Sequence, residues 1–342
     1  MCKKKEFIHK NLKKTNTEDI LQKIEDKQIG IGLSKAHFGE YLQGYFDDIN
    51  GGDNDRACIA VPLTYSLIDE HLNIDNEDEY YSLPIASSGS IAIYTPEKDE
   101  KLMVFPKDKV KSKAAVKKTL KFLKKENYGG YLKIITGGRV AQGLGTSTSD
   151  IVASVRAVSN YFQKRLYSDT IAKIAVETEK ASDGIMYDNA TLFVSTKGRV
   201  LTDYGRLFPK TEILGFRAIY EEEGIDTLKI PPRKYDSEQK NKLRNLRELA
   251  DKAFVQGNVD LIGKISTKSA MINQKFLEKL YLEEIVDISE KNRSKGIVVA
   301  HSGTMIGLMF DPSYMPTAKK LAKILEELRN LGFSDFKRYI SE

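Results

Sequence analysis

An α+β fold is predicted for this chain of 342 residues on three observations. Short β-rich runs and long helical patterns both occur, yet they do not alternate strictly, which argues against a doubly wound parallel sheet. An apolar content of 41% suffices for a globular core, and the length allows two domains. Residues 137–162, GGRVAQGLGTSTSDIVASVRAVSNYF, carry a glycine-rich run straight into a helical pattern.

The elements follow in order. The basic N-terminus, MCKKKEFIHKNLKKTNTEDI, lacks the apolar centre of a secretory signal and reads as a solvated tail or short leading helix. GIGLSKAHFGEYLQGYF, residues 30–46, reads as strand, glycine turn and strand, followed by an acidic turn, FDDINGGDND. RACIAVPLTYSLIDEHL is apolar and β-rich, and residues 85–94 and 102–105 suggest further strands. KDKVKSKAAVKKTLKFLKKENYGG shows a helical face of Ala115, Val116, Leu120 and Leu123, with Gly129 expected to end the helix. YLKIIT is a strand leading into the glycine loop, and the helix beyond it should run to about residue 165. A second helix is expected over 169–179 with Ser168 as its cap. Residues 190–203 read as a hairpin turning at Lys197-Gly198. ILGFRAIY is a strand, PPRKYD breaks the chain, and 237–256 and much of 258–289 are helical. GIVVAHSGTMIGLMF is a strand, a polar glycine turn and an apolar continuation; a helix over 318–331 and the strand FKRYI close the chain. The domain boundary is expected near 205–212, giving domains 1–207 and 208–342.

Composition narrows the function classes. A net charge of +6 with both signs abundant does not point to nucleic acid. The lysines of 107–125 fall on several helical faces without interleaved aromatics and read as a solvated helix. No apolar run approaches the ~20 residues that cross a bilayer, so no membrane partner is expected. Cys2 and Cys58 cannot build a disulfide scaffold or a cysteine-rich zinc site, and a cytoplasmic setting is the simplest home.

The chemistry concentrates in four islands. Gly143, Leu144, Gly145, Thr146, Ser147 and Thr148 form a loop where the backbone can approach a ligand and a helix presents its unpaired first amides. That combination cradles phosphate; a plain capped helix explains the same residues. Neither the P-loop nor the dinucleotide fingerprint fits. In VETEKASDGIMYDNA, Glu177, Glu179, Asp183 and Asp188 cluster after a helix, where acids oppose the dipole. Glu40 and Gln43 in AHFGEYLQG could touch a polar substrate, or simply decorate a hairpin. Ala300, His301, Ser302, Gly303 and Thr304 form a small polar turn suited to a second contact.

Taken in order, the islands resemble the GHMP kinase superfamily. Residues 139–148, RVAQGLGTST, are similar to its P-x-x-x-G-L-G-S-S-A motif, with Arg139 in place of proline. The resemblance is nearest to the L-threonine kinase branch. AHFGEYLQG resembles that branch's A-S-C-G-E-L-x-Q-G, TSTSDI its S-S-T-A-D-I, and AHSGTMIGLMFD its A-H-S-G-T-x-x-G-L. TKSAMINQ, residues 267–274, is similar to its late helix. The resemblance implies a ribosomal protein S5 domain 2-like N-terminal domain and a ferredoxin-like C-terminal domain, with ATP between them and its phosphates on the 143–148 loop. It implies a catalytic Asp183, from matching Glu179–Gly184 to the branch's E-P-T-D-G, here one residue longer and without proline. Ser147 and Glu179, or Glu177, would hold Mg2+, and Glu40, Gln43, His301, Ser302 and Gly303 would face the substrate. The implied activity is transfer of the γ-phosphoryl group of ATP to a hydroxyl, with a hydroxy amino acid such as threonine or serine as leading acceptor and a homodimer as candidate assembly. A nucleotide-binding regulator and an ATP-dependent decarboxylase are the alternatives.

Overall fold

The computed structural model describes residues 28–47, 55–66, 79–137, 143–218, 234–276, 278–300 and 303–342. The N-terminal tail and most of the acidic turn lie outside them. The two strands expected in 30–46 form β1 (Gly30–Ser34) and β2 (His37–Phe46), but they enter different sheets.

The smaller sheet has the order β1-β4-β6-β5, with β4 Ser90–Lys98, β5 Leu102–Phe105 and β6 Tyr128–Thr136. Its one parallel pair is β5 with β6. A parallel pair needs a crossover, and α2 (Val110–Phe122) supplies it, α1 being the short turn Glu79–Ser82. Ala92, Tyr94, Leu132 and Ile134 of this sheet bury against Val116 and Leu120 of α2 and against Ala153, Ala157 and Val158 of α3 (Thr146–Tyr161). A side chain at Gly32 would collide with the Ala153 carbonyl, so the glycine lets α3 lie close on β1.

The larger sheet has eight strands in the order β12-β9-β11-β10-β2-β3-β7-β8. It adds β3 (Asp55–Pro62), β7 (Thr191–Val194), β8 (Arg199–Asp203), β9 (Thr211–Arg217), β10 (Gly296–Val299), β11 (Met305–Phe310) and β12 (Lys337–Ser341). β2 is its centre, with β3 on one side and β10 on the other. The helices are α4 (Ser168–Glu179), α5 (Ser237–Gln256), α6 (Val259–Asn273), α7 (Leu282–Lys291) and α8 (Ala318–Asn330). Phe38, Leu42 and Ile59 of the sheet share a core with Leu243 of α5 and Ile265 of α6. Phe216, Ile306 and Leu308 pack with Ile285 of α7 and Leu321 of α8 in a second. Asp236 starts α5 with a reciprocal capping box and Asn258 caps α6, so both helices begin where side chains satisfy their first amides.

Three boundaries differ from expectation. α2 stops at Phe122, because Lys124 adopts a left-handed backbone (φ 56°) and turns the chain; Gly129 lies inside β6 instead of ending the helix. α3 stops at Tyr161 rather than near 165. Ser168 is the first residue of α4 and not its cap; its hydroxyl donates to the Met186 carbonyl.

Candidate active site

The glycine loop enters α3 through two left-handed turns, at Gly143 (φ 81°) and Gly145 (φ 61°). Gly145 occupies the cap position, and no side chain caps the helix. The capped-helix alternative is therefore not what forms. The hydroxyls that could have served as caps turn elsewhere: Ser147 Oγ donates to Glu179 Oε2 at 2.8 Å and Thr148 Oγ1 to Glu179 Oε1 at 2.7 Å. Thr146 and Leu144 are buried, and the Leu144 carbonyl accepts the His37 amide at 3.2 Å. A Cβ at Gly143 would lie 2.8 Å from Gly303 Cα, and one at Gly145 would enter the His37 ring. Ala300, Gly303 and the His37 ring thus close on the two glycines before an uncapped helix N-terminus, an arrangement that suits an anion.

The first turns of α3 are fixed from behind by Asp150, which is buried. Its carboxylate accepts from Ser90 Oγ on β4 (2.7 Å), Thr136 Oγ1 on β6 (2.6 Å) and Lys109 Nζ before α2 (2.7 Å). Lys109 and Lys111, assigned from sequence to a solvated helix, instead point toward this end of α3. Lys111 Nζ lies 3.3 Å from Ser147 Oγ and 3.5 Å from Glu179 Oε2. Removing one member of a buried ionic network leaves the others unpaired. Asp150→Ala is expected to lower unfolding stability by about 3 kcal/mol, measured by urea denaturation at neutral pH.

Two acids converge on the same end. Glu179 ends α4 and is buried; burial pushes its carboxyl up, against the opposing pull of the Thr148 and Ser147 hydroxyls and the Lys111 charge. Glu177 points away, is 64% exposed and pairs with Lys118 at 3.3 Å. Asp183 follows in the loop after α4, and its Oδ2 lies 3.0 Å from His37 Nε2. Its Oδ1 is 4.0 Å from the Cys58 Sγ on β3. Burial pushes the Cys58 thiol well up, and the charges of Asp183 and Glu40 add to it, so this thiol stays neutral.

Among the described residues no cluster of three or more His, Cys, Asp or Glu side chains could enclose a metal ion. A magnesium site made of Ser147, Glu179, phosphate oxygens and water needs no such cage. The oxygen-only donor set fits this cation, and the Ser147–Glu179 contact brings both donors together.

Glu40 and Gln43 are buried in the interior of β2 and not in a surface hairpin. The Gln43 backbone is clasped by the TKSAMINQ helix: its amide donates to Ser269 Oγ and its carbonyl accepts from Asn273 Nδ2, both at 3.0 Å. Gly303 abuts Gly143, and its carbonyl accepts from the buried Lys279 Nζ at 2.7 Å. His301 and Ser302 lie outside the described residues. Sequence reasoning missed His37, Lys109, Lys111 and Lys279. Only His37 carried a signal, a histidine where the resembled motif has serine.

Residues 114–196, from α2 through the loop and Asp183 to β7, match the family described as GHMP kinases N terminal domain. The chain is 27% identical over 191 residues to an L-threonine kinase of Citrobacter freundii, covering 53% of this chain and 65% of that one. It is 25% identical over 188 residues to the L-threonine kinase of Salmonella typhimurium, covering 55% and 62%. The match therefore spans somewhat less than two thirds of these relatives' length. Among solved structures, a homoserine kinase from Cytophaga hutchinsonii superposes with a TM-score of 0.63 at 12% identity, over 92% of this chain and 95% of that one. A mevalonate kinase superposes at 0.58 and 18% identity, over 92% and 98%. Residues 114–196 are thus similar to the GHMP kinases N terminal domain, and the chain has the fold of these solved kinases. Its relatives include L-threonine kinases.

Proposed function

We propose that this protein is an ATP-dependent kinase that moves the γ-phosphoryl group to the hydroxyl of a small hydroxy amino acid, with L-threonine or L-serine as leading acceptors. One observation carries the reading: the uncapped first turn of α3, Glu179 and Asp183 meet at one place. The similarity to L-threonine kinases supports the acceptor class.

In this reading the amides of residues 143–148 hold the β- and γ-phosphates of ATP between the halves 1–207 and 208–342. Ser147 and Glu179 hold magnesium, which supplies charge neutralisation on the phosphates. Phosphoryl transfer demands in-line placement and electrostatic stabilisation more than covalent help. Asp183 orients the acceptor hydroxyl and takes its proton as the new oxygen–phosphorus bond forms and the bond to the bridging oxygen of ADP breaks. Glu40, Gln43 and the 301–303 turn, His301, Ser302 and Gly303, line the acceptor side.

The test is incubation with Mg-ATP and a panel of hydroxy amino acids and polyols, following ADP. Acceptor-dependent ADP formation is the expected result. ATP binding without turnover on any alcohol would contradict it in favour of a regulator, and CO2 release in favour of a decarboxylase. The outward-facing Glu177 gives an internal control. Glu179→Gln is expected to raise the magnesium requirement roughly tenfold, while Glu177→Gln stays near wild type; equal effects in a magnesium titration would contradict the assignment.

A further inference from the structure

His37 meets both the Gly145 turn and Asp183, and it stands where the resembled motif has serine. Its ring is nearly inaccessible (3%) and is wedged against Gly145. Nδ1 lies 3.2 Å from the Gly39 carbonyl and Nε2 lies 3.0 Å from Asp183 Oδ2. Both partners are acceptors, so both ring nitrogens must carry protons for the two bonds to form, and the ring is an imidazolium. Asp183 is thereby gripped through Oδ2. Its Oδ1 keeps as described partner only a neutral thiol at 4.0 Å, and the carboxylate is 25% exposed.

We infer that His37 is a positioning residue that, as an imidazolium, fixes the Asp183 carboxylate with Oδ1 turned to the acceptor hydroxyl and ties it to the phosphate loop. The inference rests on the kinase reading above. Its consequence is a pH dependence. The charged groups facing His37 are Asp183, from the loop after α4, and Glu40 on its own strand; the neutral Cys58 thiol on β3 lies 4.0 Å from Asp183 Oδ1. Burial alone would lower the imidazole pKa. The charge and hydrogen bond of Asp183, the charge of Glu40 and the Gly39 carbonyl outweigh it and raise the value from 6.5 to about 9. A pKa raised on folding gives stability that is complete below pH 6.5 and lost as pH rises through about 9. Above that pH the ring is neutral and keeps a single proton, so it can no longer donate to both Asp183 and the Gly39 carbonyl, and the charge that grips Asp183 is lost.

The experiment combines an NMR titration of the histidine rings with steady-state kinetics on the full chain. Assignment uses His37→Gln, or His37→Asn should the first not fold. The His37 ring is expected to titrate near pH 9 in the wild type and far lower in Asp183→Asn. His37→Gln is expected to lower kcat about 100-fold with KM for ATP within about threefold. The alkaline fall in kcat near pH 9 should vanish in His37→Lys, which keeps a cation and recovers about tenfold of the loss. A His37 titration near 6.5 that ignores Asp183, or a wild-type kcat in His37→Gln, would overturn the inference. A wild type without any turnover would instead sink the kinase reading, and the positioning role with it, whatever the ring titration shows of the pair.

Discussion

Asp183→Asn is expected to lower kcat by about 10³-fold while the affinity for ATP stays within about threefold. The carboxylate lies near the N-terminal end of α3, yet it touches no amide of the 143–148 loop; its described partners are His37 and Cys58. Losing its charge removes the group proposed to orient and deprotonate the acceptor, but leaves the Gly143–Thr148 backbone as it was. The asparagine amide can still meet one His37 nitrogen, so the fold should survive. Single-turnover rates with Mg-ATP and the best acceptor, beside ATP titration by calorimetry, check both halves of the expectation. Near-normal turnover would refute the role of Asp183.

Gly145→Val should act in the opposite sense, with ATP binding weakened at least about 100-fold, or about 2.7 kcal/mol. Two costs add. Gly145 holds φ 61°, where a branched residue loses about 1–2 kcal/mol or more. Its Cβ would also enter the His37 ring, and overpacking of this kind costs about 1–3 kcal/mol. Relief requires the loop to shift, which moves the amides proposed to grip phosphate. Circular dichroism would establish that the variant remains folded. Unaltered ATP affinity in a folded variant would contradict the placement of the phosphates.

The parts of this site that sequence made legible are those carried by local backbone chemistry. Gly143 and Gly145 before a hydroxyl-rich helix start required a tight turn, and the structure has it. Most strands and helices were legible for the same reason, since their apolar periods are local. What escaped was non-local. His37 and Asp183 are 146 residues apart and meet only because β2 pairs with β3 and β3 with β7 in the larger sheet. Lys109 reaches Asp150 across 41 residues, so its run read as solvated lysines. The choice between Glu177 and Glu179 turned on which face of α4 packs toward α3. Two residues apart on a helix point to nearly opposite sides, so one had to face away. The burial of Glu40 and Gln43 was hidden because AHFGEYLQG also reads as a hairpin with polar residues on its surface. It is one strand with irregular register between His37 and Leu42, paired on both sides.

The central claim is that the bend from Gly143 to Thr148 holds a triphosphate. Crystals grown with magnesium and a non-hydrolysable ATP analogue test it most directly. The account expects the β- and γ-phosphate oxygens at about 3 Å from the loop amides, with a cation touching Ser147 and Glu179 and with Asp183 facing the γ-phosphate. An analogue bound elsewhere, with the loop amides left to water, would contradict it.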